Sequence, residues 1–199
     1  MTDKAVLSIL LRTLWNSYSH RTMGEPHARQ FRPSLLDGIE DIEDYIPGGF
    51  CPVHLGDTFA NQRYRIIHKL GAGGFSTVWL TRDDTEQRYV SLKILRAEDS
   101  EECNELQIQE HLKSQAGNHP GRVHVSLLLD YFTCASPNGS HTALVYTLAG
   151  PTLSKMYSRN GEVRGNRRFR GELARKTALQ TAQALDFVHS PGVVHGGAY

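Results

Sequence analysis

The feature that most constrains this chain is a run of glycines between two β-periodic segments. Residues 64–70 alternate in the manner of a strand, with Tyr64, Ile66 and Ile67 as β-formers. Residues 77–81 read as a second strand and residues 89–95 as a third, with Asp83-Asp84 as the turn between them. The first junction reads Leu70-Gly71-Ala72-Gly73-Gly74-Phe75-Ser76-Thr77-Val78. Glycines in such a loop let the backbone approach a polyphosphate with no side chain in the way, and Val78 offers an apolar surface to a base. A G-x-G pattern alone is equally a tight turn, but its context excludes two alternatives. A dinucleotide fold needs a helix after the glycines, whereas here a strand follows. A Walker loop needs Gly-Lys-Ser/Thr, which is absent. The loop is therefore predicted to be the lid of a β-hairpin.

The third strand carries Val90-Ser91-Leu92-Lys93. Alternation puts Leu92 and Lys93 on opposite faces, so Lys93 can share a cleft with the lid and present a compact cation to phosphate. A helix is predicted from Asp99 or Ser100 to about Lys113. On it Glu105 precedes Ile108 and Leu112 by three and seven residues, which is the apolar face. A carboxylate there needs a partner, and Lys93 is the natural one. Glu102 is the rival acid, without the same apolar companions.

Two further strands are expected at residues 123–132 and 142–146, joined by a polar loop at 136–140, and a helix at about residues 171–189. On that helix Leu173, Thr177, Thr181, Ala184, Leu185 and Val188 share a face. The fold class is α+β.

Lid, lysine and glutamate in this order resemble the small lobe of eukaryotic protein kinases. The family's G-x-G-x-x-G-x-V stands here as Gly71-x-Gly73-x-x-Ser76-x-Val78, with serine at the third glycine, and its V-A-x-K as Val90-Ser91-Leu92-Lys93. The segment Tyr45-Ile46-Pro47-Gly48-Gly49-Phe50-Cys51-Pro52-Val53-His54-Leu55-Gly56-Asp57 narrows the match. It is similar to the lead-in of the serine/arginine-rich splicing-factor kinases. Arg63-Tyr64, Lys69-Leu70-Gly71 and Gly74-Phe75-Ser76-Thr77-Val78-Trp79-Leu80 continue that resemblance. It implies a small lobe with a five-stranded antiparallel sheet and one helix, followed by the first helices of a large lobe. It implies a lead-in at residues 43–63 and an incomplete kinase domain at 64–199, with the small lobe ending near 149. It implies ATP as cofactor, cradled by Leu70, Gly71, Ala72, Gly73, Gly74, Phe75, Ser76, Thr77 and Val78. Lys93 would hold the α- and β-phosphates and Glu105 would orient it. Tyr146 would be the gatekeeper, and adenine would bond the carbonyl of Thr147 and the amide of Ala149. The family usually has glutamate where Thr147 stands, a change that backbone bonding survives. The implied substrates are serines in Arg-Ser-rich proteins.

The resemblance ends in residues 193–199, Val193-Val194-His195-Gly196-Gly197-Ala198-Tyr199. Gly197 stands where the family places the aspartate that accepts the substrate proton, and neither the asparagine nor the Asp-Phe-Gly aspartate that would hold magnesium is present. The expectation is a chain without catalytic residues or metal ligands, inactive by itself, whose last helix is loosely supported. Two other readings remain: a non-catalytic pseudokinase that binds nucleotide or a partner, and a small-molecule phosphotransferase of the antibiotic-kinase type, whose catalytic loop can begin His-Gly-Asp.

Composition bounds the rest. A net charge of +1 predicts no direct nucleic-acid partner. Three widely spaced cysteines argue against a disulfide framework or zinc site, and no segment reaches the eighteen or so apolar residues of a membrane span. Residues 1–42 read as a leader, with a short amphipathic helix at 5–15 and with Arg12, Arg21, Arg29 and Arg32 among few acids. Such a leader reads as a disordered segment or, alternatively, as a mitochondrial transit peptide, while the resemblance implies cytoplasm and nucleus.

Overall fold

The computed structural model describes residues 30–31, 39–115, 117–150, 152 and 171–194. The chain divides into two units, Met1–Arg32 and Pro33–Tyr199. Of the first, Gln30 and Phe31 are described, at a bend. The helix expected at 5–15 and the tail from His195 to Tyr199 lie outside the described residues, as does the rest of the leader before Ile39.

The second unit is built on a six-stranded antiparallel sheet in the order β1-β2-β3-β4-β6-β5. Its strands are β1 (Thr58–Phe59), β2 (Tyr64–Gly73), β3 (Ser76–Asp83), β4 (Arg88–Leu95), β5 (Leu128–Ser136) and β6 (Gly139–Thr147). Five of them are those read from the sequence. The sixth, β1, is a two-residue strand that pairs Thr58 with Arg65 and Phe59 with Tyr64. Helix α1 (Asn104–Gln115) lies between β4 and β5, and helix α2 (Gly171–His189) follows the sheet.

Alternation along β4 explains the layering. Val90, Leu92 and Ile94 are buried with Tyr64, Ile66, Trp79, Ala143, Val145 and Cys51 in one apolar cluster. The lead-in segment closes that cluster. Its Gly48 and Gly49 carbonyls accept from Glu98 and Ala97 N–H (2.9 and 3.0 Å), and Gly48 N–H donates to Asn138. Asn138 Nδ2 donates to Phe50 O at 2.7 Å. Charges brace the same layer. Arg63 forks onto Asp83 (3.0 Å twice) and reaches Asp130, which also accepts from Tyr64 Oη at 2.8 Å. Beside the opposite face, the start of α1 packs Cys103 and Leu106 with Leu95, Leu128, Leu144 and Tyr146.

The expected loop at 136–140 is a two-residue turn, so β6 begins at Gly139 rather than 142, and two further boundaries differ from the sequence reading for a local reason. Helix α1 starts at Asn104, not at Asp99 or Ser100. The Ser100 hydroxyl is engaged elsewhere: it donates to Arg96 O and accepts from Thr142 N–H, pinning the loop to β6. Cys103 Sγ instead takes the N–H of Leu106 in the first turn. The strand expected from 123 starts only at Leu128, because Pro120–His124 forms a 3-10 helix. Proline suits the start of a helix, and His119 Nδ1 caps it by accepting Gly121 N–H at 3.1 Å. Val123 is left 81% exposed.

Helix α2 spans the predicted residues but uses its apolar stripe sparingly. Phe187 is its buried residue, packed with Leu112, while Leu173 and Leu179 stay exposed. Its last turns rest on the 3-10 helix and α1, where His124 pairs with Gln183 and His111 with Pro191 O.

Candidate functional site

The lid is a tight hairpin. Gly71, Ala72 and Gly73 are not the turn but the end of β2, facing Val78, Thr77 and Ser76 across the ladder. The two-residue turn is Gly74-Phe75, tied down from behind by Arg96. Its backbone N–H donates to Phe75 O at 3.0 Å and its guanidinium reaches Gly74 O at 3.5 Å. A Cβ added at Gly71, Gly73 or Gly74 would meet nothing within 4 Å. Neither packing nor a left-handed backbone calls for glycine at these positions, so the fold itself does not explain them.

Ladder registers then place the site. Gly71 faces Val78, Val78 faces Lys93, and Lys93 faces Leu144. Residues directly opposite share a face of the sheet, so this row lies beside the lid. From α1, Glu105 meets it: Lys93 Nζ donates to Glu105 Oε2 at 2.5 Å. The other oxygen, Oε1, accepts from Tyr146 Oη at 2.8 Å. Lys93 and Glu105 side chains are 28% and 35% exposed. The rival Glu102 is exposed in the loop before α1. Burial, and after it the Glu105 charge and hydrogen bond, push the Tyr146 hydroxyl well above the usual phenol range. It therefore stays a donor throughout the neutral range.

The remaining predicted residues divide. Leu70, Phe75, Thr147 and Ala149 are exposed, with Thr147 closing β6 opposite Val90. Ser76 is buried on the Lys93 side, facing Leu95. Thr77 turns its side chain into the core. It is fully buried, and its Oγ1 accepts from Trp79 Nε1 at 2.9 Å. Alternation turns Thr77, and Ala72 opposite it, away from the Lys93 row, so Thr77 serves the core and can offer a ligand only backbone. Two contributors were missed from sequence: Arg96 behind the lid and the Tyr146 hydroxyl on Glu105. Only the register, with Tyr146 facing Ser91 two residues from Lys93, could have revealed the second. No group of three or more His, Cys, Asp or Glu among the described residues is arranged to hold a metal.

An antiparallel sheet with a glycine lid and a strand lysine paired with a helix glutamate defines the small lobe of a phosphotransferase. The protein kinase domain model matches residues 64–196, and the chain belongs to the protein kinase family. Among its relatives is the protein kinase dsk1 of Schizosaccharomyces pombe, 34% identical over 160 residues, which cover 78% of this chain and 29% of that one. The serine/threonine-protein kinase spk-1 of Caenorhabditis elegans is 39% identical over 163 residues, 78% of this chain and 16% of its own. Human SRSF protein kinase 3 is 34% identical over 134 residues, 62% of this chain and 24% of its own. The chain thus spans well under half the length of these relatives. Among the described residues no helix is long and apolar enough to cross a membrane.

Proposed function

We propose that this chain is the ATP-binding part of a protein serine/threonine kinase of the kind that phosphorylates serines in Arg-Ser-rich proteins. The observation that carries the nucleotide reading is the Lys93–Glu105 pair beside three glycines that the fold does not require. In this reading the backbone of Leu70 to Val78 covers the phosphates, and Val78 lies against adenine. The ammonium of Lys93 holds the α- and β-phosphates while Glu105 keeps it aimed at them. The Thr147 carbonyl and Ala149 amide, at the exposed end of β6, bond the adenine edge. ATP binds here by shape and charge. The substrate class is supported by the similarity to human SRSF protein kinase 3 and by the lead-in segment.

Gly197 occupies the position of the proton-accepting aspartate. A positioned base is worth roughly 10²–10⁴ in rate, so the 199-residue chain is expected to hold ATP without transferring its phosphoryl group. The test is thermal melting of the purified chain across an ATP series. A ligand at one hundred times its Kd adds about 2.7 kcal/mol, so the transition should climb with the logarithm of ATP concentration. Lys93→Ala should flatten that climb, and an equal climb in both proteins would refute the reading. No labelled phosphate should pass to an Arg-Ser peptide.

A further inference from the structure

Helix α1 buries little of its length: Leu112 is its buried residue. Its first turn, where Glu105 sits, rests on the small cluster of Cys103 and Leu106 and on the two hydrogen bonds of the Glu105 carboxylate. Among the described residues each oxygen of that carboxylate takes one bond, Oε2 from Lys93 and Oε1 from Tyr146. Lysine is a flexible chain whose ordering costs rotamer entropy. Aiming it through one oxygen of a carboxylate that can itself rotate would order it poorly. A second donor on the far oxygen removes that rotation. Tyr146 is fitted to the task, because its ring is fixed among Leu95, Leu128 and Leu144 while its hydroxyl stays protonated.

We propose that Tyr146 is a positioning residue: its hydroxyl locks Glu105, Glu105 locks Lys93, and the ammonium is held ready for nucleotide phosphate. Tyr146 thereby links the end of the strand that leads to the adenine edge with the helix that carries the lysine's counter-ion. The inference rests on the nucleotide reading above and adds a residue whose contribution runs through phosphate alone. A ligand with the base and no phosphate should not sense the hydroxyl.

The test is titration calorimetry of the full chain with ADP and with adenosine. Tyr146→Phe keeps the ring and removes the hydroxyl. It is expected to weaken ADP about fivefold, the scale of a partly solvated hydrogen bond to a charge, and to leave adenosine unchanged. In a Glu105→Ala background the same substitution should change ADP affinity less than about 1.5-fold, since its target is gone. Equal losses for ADP and adenosine, or no loss for either, would overturn the positioning role. So would a full effect persisting without Glu105. Lys93→Ala separates the two levels. If it leaves ADP binding intact, the nucleotide reading fails; if it weakens ADP while Tyr146→Phe does not, only the positioning role fails. Should the phenylalanine variant lose its cooperative melting, Tyr146→Leu repeats the cycle with the hydroxyl again removed.

Discussion

Glycine plays opposite parts in two regions of this molecule. At Gly121 a Cβ would lie 1.8 Å from the Gln183 carbonyl oxygen, and at Gly49 it would lie 1.9 Å from that of Asp44. There glycine lets one backbone press against another. At Gly71, Gly73 and Gly74 the space is empty. The charged pairs divide in the same way. Asp83 is 1% exposed, and Arg63 and the N–H groups of Thr85 and Glu86 saturate it. Lys93 and Glu105 pair with about a third of each side chain left to solvent. The first region holds what the fold requires. The second holds groups that the fold tolerates without requiring them, where the proposed nucleotide would bind.

Substitutions can break this contrast or sharpen it. The largest stability effect is expected at Asp83→Ala, which leaves Arg63 without its main partner. Losing one member of a buried pair costs about 3 kcal/mol, readable by urea denaturation. The pH dependence carries the same signature. The Arg63 guanidinium, then the Glu86 and Thr85 amides, hold the Asp83 carboxyl below the usual aspartate range. Its contribution is therefore complete above the unfolded value of about 4 and is lost as pH falls below that. Urea midpoints of the native chain should drop in that window, and those of the Ala variant should drop less. Next comes Gly121→Ala, where the 3-10 helix or α2 must move. Such overpacking costs about 1–3 kcal/mol and should raise amide exchange at the end of α2. Smallest in stability, and the sharpest contrast, is Gly73→Ala. Folding should change by less than about 1 kcal/mol, with gain as plausible as loss, while ATP affinity falls about tenfold. A destabilisation like that of Gly121→Ala would erase the distinction between the two regions.

Much of this was legible in the chain itself, because alternation and glycine placement are local signals. The strand–lid–strand order, the opposed faces of Leu92 and Lys93, the choice of Glu105 over Glu102, and the span of α2 all follow from spacing of a few residues. Helix α1 starts later than its capping signals suggest because a distant partner claims the capping group. Ser100 carries the features of a helix cap, but Thr142, 42 residues away, binds its hydroxyl.

By itself the sequence determined which residues could act, since side-chain chemistry and periodicity are written along the chain. Only the tertiary structure decided which of them meet. The register that sets Gly71, Val78, Lys93 and Leu144 in one row depends on hydrogen bonds between strands far apart in sequence. So does the convergence of Lys93 and Tyr146 on one carboxylate. Such pairings are selected by burial and geometry in three dimensions, and no one-dimensional pattern encodes them.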